Sequence, residues 1–78
     1  MIHVKLLAFA QAADWLGCRE MLVECSPDET LRDIVGRHAP GVDFSSTRVA
    51  VDCEYLPWDD AVGALAQEIA ILPPVSGG

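Results

Sequence analysis

The residues with the most chemical potential in this chain are its last six, Pro73-Pro74-Val75-Ser76-Gly77-Gly78, which follow a strand-like run, Ile69-Ala70-Ile71-Leu72. Each proline ring fixes φ and removes a backbone donor, so a sheet cannot continue and the backbone is biased toward an extended, polyproline-like path. The two glycines carry no Cβ and can enter a tunnel too narrow for any side chain. The carboxylate of Gly78 is by itself a poor acyl donor, because it is negatively charged and would have to expel oxide. Joined to AMP by an ATP-dependent enzyme, it becomes an acyl-adenylate with a phosphate leaving group. A sulfur nucleophile that displaces AMP then leaves a thiocarboxylate on Gly78. The pattern therefore predicts an extended, flexible tail over 73–78 that presents a reactive terminus to an enzyme, against the alternative of an inert, frayed end.

The rest of the sequence offers no competing chemistry. It has no GxxxxGK[ST] phosphate loop, no GxGxxG, and no Ser/His/Asp or Cys/His pair singled out by spacing. Cys18, Cys25 and Cys53 are odd in number and form no CxxC pattern, so they read as structural thiols rather than a disulfide framework or zinc site. His3 and His38 lack partners at ligand spacing and read as structural or surface residues. Neither a metal nor a bound cofactor is expected. With 78 residues, the chain makes one domain with a modest core, which favours function through a partner. A net charge of −7 argues against nucleic acid and anionic lipid as partners and favours a partner with a basic surface. No stretch is apolar enough to span a bilayer, and Met1-Ile2-His3-Val4-Lys5 lacks the regions of a signal peptide, so a cytoplasmic location is expected.

The elements that must position the tail follow from periodicity. Residues 2–9 alternate, with Ile2, Val4, Leu6 and Ala8 on one face and His3, Lys5, Leu7 and Phe9 on the other, which predicts a half-buried strand. Gln11 to Leu16 reads as a short helical turn closed by Gly17, with Trp15 and Leu16 folded onto the core. Arg19 to Cys25 alternates as a second, antiparallel strand. Thr30 can cap a helix with Asp33 at N3, and Leu31, Ile34, Val35 and His38 follow at i, i+3, i+4 and i+7, predicting about ten helical residues before Pro40-Gly41. After a loop through Asp43 to Thr47, Arg48 to Cys53 reads as a strand with Val49, Val51 and Cys53 inward. Tyr55 to Trp58 reads as an irregular apolar stretch, Asp59 to Gln67 as a connection with one helical turn, and Ile69 to Leu72 as the last strand. The tail would leave one domain spanning 1–72.

The terminal string PPVSGG is similar to that of the MoaD branch of the MoaD/ThiS carriers, the small subunits of molybdopterin synthase. Val49-Ala50-Val51, the first strand and Thr30-Leu31-Arg32-Asp33 extend the resemblance over most of the chain. It implies an α+β fold of the β-grasp (ubiquitin-like) type, a mixed sheet with one main helix packed across it, in which the first and last strands run side by side and parallel. Leu7 and Leu72 would then be neighbours at the base of the tail, bordered by Tyr55, as a partner-docking patch. The resemblance also implies that Gly78 is the adenylated, then thiocarboxylated terminus. Pro73, Pro74, Val75, Ser76 and Gly77 would lie inserted in the active site of a MoaE-like large subunit, within a heterotetramer. A MoeB-like enzyme would use ATP for the activation, a persulfide donor would supply sulfur, and the acceptor would be the cyclic pyranopterin precursor of molybdopterin. Catalytic side chains would belong to the partners. Two departures stand out: Ala66-Gln67 where many relatives have Gly-Asp, and Asp52 where they often have Asn. The alternatives are a carrier for thiamine thiazole synthesis or tRNA thiolation, or a ubiquitin-like protein modifier.

Overall fold

The period-two pattern of the first strand holds in three dimensions. In Ile2–Ala8 (β1), Val4, Leu6 and Ala8 are buried, while His3 and Lys5 face solvent and Leu7 is half-buried. The computed structural model describes residues 1–9, 11–42 and 46–72, with the side chains of Gln11 and Trp15 excluded. The expected tail, Pro73 to Gly78, lies outside the described residues, as do the expected core position of Trp15 and part of the loop through Asp43.

After β1 come a short helix, Gln11–Leu16 (α1), the strand Glu20–Cys25 (β2), the main helix Leu31–His38 (α2), and the strands Arg48–Val51 (β3), Glu54–Leu56 (β4) and Glu68–Leu72 (β5). They build one five-stranded sheet in the order β2-β1-β5-β3-β4. β1 and β5 pair in parallel, Leu6 opposite Ile69 and Ala8 opposite Ile71, while the other neighbours are antiparallel. This is the expected α+β arrangement, a mixed sheet with one main helix across it. Leu6, Ile69, Ile71, Val4 and Val49 from the sheet meet Leu31, Ile34 and Val35 of α2 in one core. Each such side chain contributes about 1.5–3 kcal/mol on burial.

Helix α2 starts where its first three amides all find acceptors. Leu31 donates to the Asp60 carbonyl at 3.0 Å, Arg32 to the Trp58 carbonyl at 2.9 Å, and Asp33 to Thr30 Oγ1 at 3.2 Å. Thr30 thus caps as its position predicted, and the 57–62 segment supplies the remaining acceptors, which sequence spacing could not show. The helix spans eight residues rather than about ten, and Ala39 closes it.

Three expectations require correction. Cys53 is exposed rather than inward, because β3 ends at Val51: Asp52 and Cys53 take φ of 49° and 71° and form a two-residue hairpin turn. Two consecutive positive φ values suit a turn of the I′ kind, whose twist matches that of the flanking strands. Its usual signature ends in glycine, so Asp-Cys concealed it. Tyr55 and Leu56 consequently belong to a regular strand, β4, rather than to an irregular stretch. Between Asp59 and Gln67 the chain makes turns and a bridge from Thr30 to Ala61, not a helical turn. The Asp52 carboxylate accepts from the amides of Gln67, at 3.2 Å, and Glu68, at 3.0 Å, and so clamps the hairpin turn to the start of β5. Neither Ala66 nor Gln67 takes a positive φ, so the turn before β5 does not need a glycine at that pair.

A second clamp lies beneath α2. Arg37 donates two bonds to the Glu29 carboxylate, at 2.6 and 3.1 Å, and the Ser26 amide donates a third at 2.9 Å. The bidentate Arg37 fork, helped by that amide, holds the Glu29 carboxyl below its ordinary value of 4.5 and pushes Arg37 up. A carboxyl lowered on folding stabilises the native state above its unfolded pKa, and this is lost as pH falls through the folded value. Urea unfolding should therefore show stability falling as pH drops below about 4.5, with a shallower acid dependence in Glu29→Gln; equal profiles would show that the clamp contributes nothing. Burial likewise pushes the fully buried Cys25 thiol up. A maleimide should label Cys53 rapidly in the native protein and spare Cys25 until denaturant is added, as read by peptide mass.

Candidate functional site

Helix α2 covers one face of the sheet, and the other face carries the site. The outward side chains form a row with one residue from each strand. Glu20 on β2 lies opposite Leu7 on β1, Leu7 opposite Ala70 on β5, Ala70 opposite Ala50 on β3, and Ala50 opposite Tyr55 on β4. Ala70 and Ala50 are small, so the centre of the row is shallow and apolar. Leu7 stands at one side of it and Tyr55, 61% exposed, at the other.

One step further toward the end of β5, Leu72 pairs with Arg48. Leu7 and Leu72 are diagonal neighbours across the parallel pair, since Leu7 is in register with Ala70, two residues before Leu72. The expected patch of Leu7, Leu72 and Tyr55 therefore does share one face. Phe9, 48% exposed, extends it past the end of β1, where its amide donates to the Ile71 carbonyl at 3.3 Å. Phe9 was legible as an outward residue two positions after Leu7, but its place beside the end of β5 depends on strand register. An open cleft of about 530 Å³ adjoins this corner, lined by Leu7, Phe9, Ala13, Asp14, Arg19 and Glu20.

Charges are unevenly arranged around this face. At the end away from Leu72, His3 contacts Glu24 at 3.1 Å and Lys5 approaches Glu20 at 4.0 Å. At the Leu72 end, the Arg48 guanidinium lies over the Tyr55 ring, 5.7 Å from its centroid. Stacking of this kind covers part of the ring and holds the cation near the apolar surface. Among the described residues, no group of three or more His, Cys, Asp or Glu side chains could hold a metal ion, and no helix is long and apolar enough to cross a membrane. The expected reactive positions, Pro73, Pro74, Val75, Ser76, Gly77 and Gly78, lie beyond the described residues. The structure places their point of departure, Leu72, at the rim of the apolar face.

Comparisons with known proteins agree with this architecture. Residues 6–78 match the ThiS family. A Caenorhabditis briggsae protein named molybdopterin synthase sulfur carrier subunit is 37% identical, and the match covers 100% of both chains. Among solved structures, SAMP1 from Haloferax volcanii superposes with a TM-score of 0.74 at 26% identity, covering 97% of this chain and 99% of that one. The small archaeal modifier protein 1 from Methanosarcina acetivorans gives a TM-score of 0.72 at 21% identity over 100% of this chain and 98% of its own, a likeness of fold alone. With one helix across a mixed sheet, parallel central strands and a family match over nearly all its length, the chain has the ubiquitin-like β-grasp fold and belongs to the MoaD/ThiS family.

Proposed function

We propose that this chain is the sulfur-carrier subunit of a molybdopterin synthase. The observation that carries the reading is the full-length match, at 37% identity, to a relative bearing that name. The geometry supports it: the apolar face and the root of the Gly-Gly tail adjoin, so one partner could grip the sheet and receive the tail at the same time.

In this reading the Gly78 carboxylate attacks the α-phosphorus of ATP on a MoeB-like activating enzyme and pyrophosphate leaves. The terminal sulfur of a persulfide donor then attacks the acyl carbon and AMP leaves. A thiol cleaves the resulting acyl disulfide, is itself oxidised to a disulfide, and releases the thiocarboxylate. The charged carrier docks on a MoaE-like subunit through Leu7, Tyr55 and Leu72. It threads Pro73 to Gly77 into that subunit's active site and passes sulfur to the cyclic pyranopterin precursor. Two carriers on two large subunits make a heterotetramer. The chain contributes its terminus and its docking face, whereas ATP contacts and catalytic side chains belong to the partners, in a cytoplasmic pathway. A second reading, a protein modifier joined through Gly78 to lysines, draws on the modifier named among the fold neighbours at 26% identity.

Incubation with ATP, a MoeB-type enzyme and a sulfur donor should replace one oxygen by sulfur in the peptide ending in Gly78, by intact and peptide mass. Deleting Gly78 should abolish this and leave thermal stability unchanged. Isopeptide adducts in place of the thiocarboxylate would favour the modifier. Leu7→Glu places a charge beside the shallow centre of the face and should weaken binding to the large subunit by about tenfold or more, about 1.4 kcal/mol, with circular dichroism unaltered. Unchanged affinity would remove Leu7 from the interface.

A further inference from the structure

The two edges of the sheet are unequal. β4 has three residues, whereas β2 has six and β1 as its one neighbour. Which backbone groups of β2 are free follows from the phase of its ladder. The Ala8 amide donates to the Arg19 carbonyl at 2.9 Å, so Ala8 and Arg19 form a hydrogen-bonded pair. Such pairs alternate with non-bonded ones in an antiparallel ladder. Leu6 with Met21 and Val4 with Val23 therefore bond, while Leu7 with Glu20, Lys5 with Leu22 and His3 with Glu24 do not. Glu20, Leu22 and Glu24 turn their N–H and C=O groups away from β1, and among the described residues no other strand meets them. An open row of this kind is a template for a further strand.

The side chains of the same three residues project to the outer face, where Leu22 stands 71% exposed between two carboxylates. Glu24 contacts His3 at 3.1 Å and Glu20 approaches Lys5 at 4.0 Å, each through one oxygen of an exposed carboxylate. Lys5 is also in register with Glu68, so the surroundings of Leu22 stay net negative when His3 is neutral. Arg19 lies on the opposite phase of the strand, paired with the buried Ala8, and shares its cleft with Asp14 and Glu20. A second copy of this chain is a poor occupant for the edge. Two β2 edges paired antiparallel about Leu22 would set each Glu20 opposite a Glu24, and like charges directly opposite are destabilising.

We infer that the β2 edge receives an extended segment of another protein in which an apolar residue stands between two basic ones at alternate positions. The segment's backbone bonds to the free groups of Glu20, Leu22 and Glu24, its apolar side chain covers Leu22, and its cations face the two carboxylates. The net charge of −7 draws such a segment in, and the edge fixes its register. The added strand lies three strand spacings, about 14 Å, from β5, so it leaves Leu72 uncovered. The inference goes beyond the proposed function and does not depend on it.

The probe is a blocked peptide, Thr-Thr-Lys-Thr-Val-Thr-Lys-Thr-Thr, titrated at low salt into the nitrogen-15-labelled full-length chain. Binding should shift the amides of Glu20, Leu22 and Glu24 and slow their exchange with solvent. Methylating the valine and lysine backbone nitrogens removes the donors that face β2 and should abolish binding, as should replacing both lysines with glutamate. Glu20→Lys combined with Glu24→Lys should weaken the lysine peptide about tenfold or more and confer binding of the glutamate peptide. Glu54→Lys combined with Asp60→Lys changes net charge equally at exposed positions away from this edge and should stay within about twofold of the parent. Circular dichroism confirms that each variant folds. No shift at millimolar lysine peptide, shifts centred elsewhere, or equal losses in the two double variants would overturn the inference. The titration uses neither the tail chemistry nor a large subunit, so its failure leaves the proposed function standing.

Discussion

The parallel pairing of β1 with β5 is the constraint on which the rest of the structure depends. Parallel neighbours cannot be joined by a tight turn, so everything between Ala8 and Glu68 must leave the sheet centre and return to it. The chain does this by folding back through β2 on one side, crossing with α2, and returning through the β3–β4 hairpin on the other. Because β5 is central, both its faces are committed. Ile69 and Ile71 are fully buried against α2, while Ala70 and Leu72 face the uncovered side. The register of one strand pair therefore decides both where the core lies and which side chains surround the point at which the chain departs toward its glycines.

That arrangement separates two tasks that a chain of 78 residues could not combine in one cavity. The helix-covered face holds the fold together with ordinary apolar packing, and the Glu29–Arg37–Ser26 and Asp52–Glu68 clamps tie loops to it. The opposite face is left shallow by Ala50 and Ala70 and rimmed by Leu7, Phe9, Tyr55 and Leu72, with Arg48 stacked on Tyr55. A surface of this kind suits a partner's flat apolar patch rather than a small molecule. The residues proposed to react follow Leu72 in the chain, and Leu72 stands at the rim of this face.

Electrostatics illustrate why whole-chain sums mislead at this scale. Beyond about a Debye length, roughly 8–10 Å, exposed charges are largely screened, so what a partner meets at an interface is set by the charges immediately around it. Twelve acidic residues suggested a basic partner, yet carboxylates already engage three of the five basic side chains, and Arg48 stacks on Tyr55 at the Leu72 end of the face. The strand register made that visible, because it sets Arg48 beside Leu72, twenty-four positions further along the chain.

By itself the sequence determined the element types with the clearest periods: β1 from Ile2, Val4, Leu6 and Ala8, and the start of α2 from Thr30 and Asp33. These are local consequences of alternation and capping, and neighbours in the chain carry them. It also carried the PPVSGG string and, through its resemblance, the family and the fold. Only the tertiary structure decided what depends on distant partners. The Asp52-Cys53 turn lacks its usual glycine, and it stands because β3 and β4 pair around it while Glu68 and Gln67 hold the Asp52 carboxylate. The first amides of α2 are met by Trp58 and Asp60, which no spacing within the helix could announce. Tyr55 and Leu7 share a face because five strands fall into one register, and register is set by which side chains the whole core can bury together.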